Sequence, residues 1–251
     1  MYFLFIYLFF SCAPEAPAEL EDLCSYLFQH HQNEAAAVSG TESLLSWVEG
    51  NADWEEGYRI DNLTTEHIED SSAPQIDLKE QLGVAVLNVM DHNVSDLAWA
   101  FGGVLPSEAA PETFYSAEQS FNEGEDCFWD RECLFLSKDS ALGIQFPLNV
   151  HLDGVIHSEL QWVELDSGWA MLQRDWLVEN PQMSVPWITI HGQYSLSALI
   201  PFEGKTLRLD SLWAVITLGD SPVPEDLGVQ LLVGKSQKTL EEIDSYLSLQ
   251  Q

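Results

Sequence analysis

The seven histidines are the first place to look for chemistry in this chain. Imidazoles bind metals or move protons when two or three converge. His30-His31 is the only doublet. Neighbours on a helix point about 100° apart, so this pair cannot share a metal and reads as a helix end. His151 and His157 flank Asp153-Gly154, a dipeptide suited to a type I′ hairpin turn. With the turn there, Val150 faces His157 and His151 faces Ile156, which puts the two imidazoles on opposite faces of a sheet. Neither pair predicts a metal site. Asn122-Glu-Gly-Glu-Asp126 is an acidic loop rich in oxygen, without the ligand spacing of a known calcium loop. Asn62-Leu-Thr64 and Asn93-Val-Ser95 match glycosylation sequons, which matter only in a eukaryotic secretory route.

The four cysteines are Cys12, Cys24, Cys127 and Cys133. No Cys-x-x-Cys pair occurs, so zinc is not predicted. The spacing Cys127-Phe-Trp-Asp-Arg-Glu-Cys133 suits a loop or hairpin end and, in an oxidising compartment, a small-loop disulfide. Cys24 falls on the apolar face of a predicted helix and reads as a buried free thiol.

Two short motifs resemble those of hydrolases. Gly219-Asp-Ser221 resembles the nucleophile motif of small serine esterases, which pair it with a later histidine, but no histidine follows His191. Asp166-Ser-Gly168 resembles the aspartic-protease motif, which needs two carboxylates sharing a proton, and no second copy exists. Both read as turns. No Gly-x-Ser-x-Gly, phosphate loop or dinucleotide fingerprint is present. No catalytic residue, metal or cofactor is therefore predicted. Trp162, Trp169, Trp176, Trp187 and Trp213 fall in or beside predicted strands, either as core or as the lining of an apolar ligand pocket.

The elements that would position these residues change character midway. Glu19–His31 is amphipathic with helical period, carrying Leu20, Leu23, Cys24, Leu27, Phe28 and His31 on one face. Gln32–Gly40 reads as a loop and Thr41–Glu49 as a second helix capped by Thr41. Thr65–Asp70 reads as a short helix. Asp77, with Glu80 in capping-box spacing, opens a predicted third helix with Leu78, Leu82, Val86 and Val89 inward. Another short helix spans Ser95–Phe101, and Pro106–Thr113 is a loop. From Phe114 the segments are short, aromatic and β-branched. Asp166-Ser-Gly168 and Pro201–Gly204 read as hairpin connections. In Lys205–Leu218, Leu207, Leu209, Trp213 and Val215 share one face and Thr206, Arg208 and Asp210 the other, as in a half-buried antiparallel strand. Ser221-Pro-Val-Pro224-Glu-Asp opens a terminal helix running to about Leu249. Its predicted inward positions are Leu227, Leu231, Leu240, Ile243 and Leu247.

The expected fold class is thus α+β: N-terminal helices, a curved antiparallel sheet, and a long C-terminal helix packed on it. This layout, with Trp162…Asp166-Ser-Gly-Trp169, Gln173-Arg-Asp-Trp176, Thr206–Trp213 and Gly219–Pro224, resembles the START-like (polyketide cyclase/lipid-transfer) helix-grip superfamily over about Leu82–Leu249. The resemblance implies a cavity between sheet and helix for a lipid-like ligand. It carries over no site residue.

The first dozen residues speak to address. Tyr2–Phe10 is an apolar run about 14 Å long as a helix, too short to span a bilayer and of signal-peptide length. Leu8-Phe9-Phe10-Ser11-Cys12 resembles the lipobox of bacterial lipoproteins, with Phe9 where leucine is usual. That resemblance implies cleavage before Cys12 and acylation of its thiol. The first basic residue is Arg59, so either the α-amino group supplies the positive charge ahead of the run or the start lies upstream.

Residues 1–11 are thus read as signal peptide, 12–18 as tether, 19–74 as a helical extension and 75–251 as the sheet-and-helix domain. The net charge of -32, from 41 acidic and 9 basic residues, argues against a nucleic-acid partner. Apolar residues at 46% of the chain permit a sizeable core. The expected protein is an extracytoplasmic, membrane-anchored lipoprotein binding an apolar small molecule. The alternative is a non-catalytic envelope protein that docks a partner through its acidic surface.

Overall fold

A computed structural model describes residues 14–51, 57–69, 71, 73, 76–146, 149–219, 221–222 and 224–250. The signal run and Cys12 lie outside the described residues.

Two helices come first, α1 (Leu20–Gln29) and α2 (Glu34–Gly50). The apolar face expected for α1 is buried, Cys24 included, and burial pushes that thiol up to about 12. Helix α2 begins earlier than its apolar period suggests. Asn33 is its cap, accepting from the Ala36 N–H at 3.2 Å, and the alanine-rich turn that follows carries propensity without periodicity. Thr41, expected as the cap, instead donates to the Ala37 carbonyl at 2.7 Å from inside the helix. Gly40 lets α1 and α2 approach closely, since a Cβ there would lie 2.5 Å from a Leu27 methyl.

The sheet strands are β1 (Tyr58–Arg59), β2 (Leu82–Met90), β3 (Phe114–Glu123), β4 (Phe135–Phe146), β5 (Val150–Leu165), β6 (Gly168–Leu177), β7 (Gln182–Met183), β8 (Ile188–Phe202), β9 (Lys205–Leu218) and β10 (Ser221–Pro222). They form one antiparallel sheet in the order β1-β2-β9-β8-β6-β5-β4-β3, with β7 beside β5 and β10 beside β9. Between β2 and β3 run α3 (Val94–Ala98), a π-turn over Trp99–Gly103 and the single turn α4 (Pro106–Ala109); α5 (Glu125–Phe128) follows β3. Helix α6 (Glu225–Gln250) closes the chain.

The segment after Asp77 is a short 3₁₀ turn followed by strand β2, not a third helix. Val84, Ala85, Val86 and Leu87 are all buried, because β2 is covered on both faces. Such a strand shows no alternation, and its apolar positions fit helical spacing by coincidence. Asp153-Gly154 is not a turn. Strand β5 runs straight through it, with Asp153 opposite Gly143 and Gly154 opposite Leu142. The long ladder with β4 outweighs the local turn preference. On α6, Leu240, Ile243 and Leu247 face inward as expected, but Leu227 and Leu231 are 43% and 51% exposed and Leu232 is buried in their place.

The other two hairpins fall where the sequence places them. Leu165 pairs with Gly168 across Asp166-Ser167. Phe202 pairs with Lys205 across Glu203-Gly204, both of which have positive φ (50° and 79°) as a type I′ turn requires.

The sheet lies between two helical layers. On one face, Val163, Leu172, Trp176, Tyr194, Leu196, Leu209 and Trp213 share a continuous core with α1 and α2. Phe28 meets Tyr194 and Trp213 edge-on, with centroids 6.1 and 5.8 Å apart. The opposite face receives α3, α4 and α6. Near the hairpin ends it is solid, with Leu160, Trp162, Met171 and Leu199 packed on Phe128, Leu97 and Ile243.

Candidate functional site

Between that solid patch and the N-terminal half of α6 the second face is hollow. A cavity of about 220 Å³ lies over β2, β4, β5, β6, β8 and β9, roofed by α6 and bordered by α4 and the π-turn. Its walls are apolar: Val84, Leu142, Ile144 and Ile156 from strands, Leu232 and Leu240 from α6.

Its floor is polar. Register places Lys138 beside Ser158, Ser158 beside Asp175, and Asp175 beside Ser195 on four successive strands. At strand spacing that row is about 14 Å long. One rung away Gln173 pairs with Ser197 and Ser197 with Asp210, and Arg208 follows on β9.

The two acids of the floor are fully engaged. Asp210 takes a two-pronged contact from Arg208, Nε at 2.7 Å and Nη2 at 2.6 Å, and also accepts from Ser197 Oγ at 2.7 Å and Ser236 Oγ at 3.3 Å. Asp175 accepts from Gln173 Nε2 at 2.7 Å and Ser195 Oγ at 3.1 Å. Burial raises the Asp175 carboxyl above the usual range, against hydrogen bonds from Ser158 and Gln173 and the Lys138 charge.

The cations are less satisfied. Lys138, almost fully buried, donates to the Gly102 carbonyl at 2.6 Å. Burial pushes it down to about 8, although Asp175 pulls it up. Arg208 is 6% exposed, and among the described residues its Nη1 has no hydrogen-bond partner. Phe101 lies against the guanidinium, 3.3 Å from Cζ to ring centroid. Lys235 on α6 is partly buried over the Phe146 ring at 4.6 Å, and burial pushes it down to about 8. Among the described residues no acid pairs with Lys235.

The residues singled out from sequence lie elsewhere. Trp162 stacks on Phe128 and donates to its carbonyl at 2.9 Å. Trp169 lies beside Arg131, Trp176 beside His157, and Trp213 under Phe28 with its Nε1 on the Asp61 carbonyl at 2.8 Å. Trp187 is 50% exposed. None of the five is among the residues lining the cavity. Cys127 and Cys133 form a disulfide, with sulfurs 2.06 Å apart.

His31 is buried at the end of α1, its Nε2 donating to the Leu172 carbonyl at 3.3 Å. His151 and His157 lie on the same face of β5 rather than opposite faces, because the expected turn is absent. Six residues of strand hold them about 20 Å apart. His151 meets Tyr115, and His157 Nδ1 meets Asp139 at 2.7 Å. Among the described residues no three of His, Cys, Asp or Glu are placed to hold a metal ion. Gly219 turns with φ 61° and Ser221 pairs with Leu218; Asp220 between them lies outside the described residues.

Sequence reasoning missed the floor. Arg208 and Asp210 were legible as one polar face of a strand, but polar alternation reads as a solvent face.

The fold and site together define an α+β sheet that holds a hollow, part-polar interior under its last helix. Among solved structures the chain is similar to a STAR-related lipid transfer protein from Xanthomonas axonopodis, at 15% identity over 79% of this chain and 96% of that one, with a TM-score of 0.47. It is also similar to human StAR-related lipid transfer protein 5, at 9% identity over 89% and 99%, with a TM-score of 0.47. No protein-family model and no curated protein matches the sequence. The fold assignment rests on this chain's own ladders and helices.

Proposed function

We propose that this protein is a non-catalytic carrier that encloses one small apolar, lipid-like molecule between its sheet and α6. The observation that carries this reading is the hollow beneath α6 on a sheet whose other face is solidly filled. Apolar walls supply the binding energy, roughly 25 cal/mol per Å² of apolar surface covered. At about 220 Å³ the cavity is smaller than the roughly 300–1,000 Å³ of drug-sized sites and suits a single chain.

The carrier works outside the cytoplasm, attached to a bacterial membrane through acylated Cys12. The Cys127–Cys133 disulfide supports an oxidising compartment. No helix among the described residues is long and apolar enough to cross a membrane.

Calorimetric titration with decanoate and with 1-decanol tests the carrier. At least one should bind saturably at one per chain, and Leu232→Trp, which fills the cavity from α6, should remove binding while leaving the circular dichroism spectrum intact. Absence of binding by both probes would reject the carrier. For the address, a palmitate analogue should label the wild type and not Cys12→Ala.

A further inference from the structure

Charge is distributed inside this protein in the opposite sense to its surface. The chain carries 41 acidic and 9 basic residues, yet three of the basic ones, Lys138, Arg208 and Lys235, line the cavity, against Asp175 and Asp210. Both acids already accept hydrogen bonds on each oxygen, from Arg208, Ser197 and Ser236 or from Gln173 and Ser195. The unused capacity belongs to the cations. Among the described residues Arg208 Nη1 is enclosed without a partner, and Lys235 has only an aromatic ring against its ammonium. An unmade hydrogen bond on a buried cation is costly, and an anionic oxygen from a ligand would satisfy it with the strong, charge-assisted kind of hydrogen bond.

Resting on the carrier reading, we infer that the cavity is built for an amphiphile with an anionic head, paired with Lys235 on α6 over the Lys138 and Arg208 floor, its chain against Ile144, Ile156 and Leu232. The acidic exterior repels such a ligand at long range, but salt screens this within about 10 Å at 0.1 M. The cations lining the cavity act at contact distance, where the local dielectric is lower. Selectivity would therefore arise after entry rather than by steering.

Calorimetry on the full chain with decanoate, 1-decanol and decyltrimethylammonium, equal in chain and different in head, separates this inference from the carrier itself. Decanoate should bind about tenfold more tightly than decanol, the gain of one charged hydrogen bond, and the ammonium more weakly than either. Lys235→Ala, on a partly exposed helix position that should fold, should bring the ratio of decanoate to decanol affinity down from about tenfold to about one. Lys138→Met is the second variant, should Lys235→Ala fail to fold. Decyl phosphate binding as tightly as decanoate assigns the site to anionic oxygens in general, and weaker binding assigns it to a carboxylate. Decanol binding as tightly as decanoate overturns the inference while leaving the carrier standing, as does a preference unchanged in both lysine variants.

Discussion

The two faces of the central sheet are made by alternate residues of the same strands, yet one is solid and the other hollow. On β9, Leu207, Leu209 and Trp213 enter a filled core beneath α1 and α2. Between them Arg208, Asp210 and Leu212 border the cavity beneath α6. The backbone ladder is common to both faces, so the difference lies in side chains and cover. The filled face holds large apolar groups that meet partners on an amphipathic helix. The hollow face holds short polar side chains that bond to one another across the strands, and these leave space above them. A packed core and a cavity are thereby separated onto opposite sides of one structure.

That division can be broken or sharpened by experiment. The largest effect should come from the filled face: Trp213→Ala should cost about 3–5 kcal/mol in urea unfolding, because a fully buried indole leaves a cavity that cannot collapse. Reducing the Cys127–Cys133 disulfide, which closes a small loop beside the packed part of the second face, should cost about 2 kcal/mol by loop-closure entropy. Leu232→Ala, on the cavity roof, should cost less than the 2–5 kcal/mol typical of a buried leucine, since its side chain already borders empty space. An equal or larger loss would mean that the roof is packed as tightly as the opposite face. Leu231→Glu, one residue away and exposed, should stay within about 0.5 kcal/mol of wild type.

A pH series should mark the filled face as well. Burial, then the Arg174 charge, lowers His31 to about 3, while the Leu172 carbonyl opposes them. Its folded pKa lies below the unfolded value of about 6.5, so between the two only the unfolded chain takes up the proton. The contribution is complete above about pH 6.5 and lost progressively as pH falls towards 3. His31→Gln should flatten the loss of melting temperature over that window relative to wild type. Identical profiles would mean that His31 is not held neutral beneath the sheet.

Much of the filled side was legible from sequence. The Leu20–His31 face, the buried Cys24 and the β9 alternation each follow from local period, because amphipathic elements record which side is apolar. The turns at Asp166-Ser-Gly168 and Glu203-Gly204 follow from turn chemistry. Strand β2 was not legible, because a strand covered on both faces has no period to read. Neither was the course of β5, where a strong turn signal at Asp153-Gly154 gave way to the ladder with β4.

The sequence by itself therefore determined the class of fold, the apolar faces of α1 and β9, the hairpins at Asp166-Ser-Gly168 and Glu203-Gly204 and the Cys127–Cys133 spacing that suits a disulfide. Only the tertiary structure decided that Lys138, Asp175, Ser195, Arg208 and Asp210 face an interior. A polar residue on alternate positions satisfies water and a polar cavity equally well. Which of the two it meets depends on whether a distant helix, here α6, comes back to cover it.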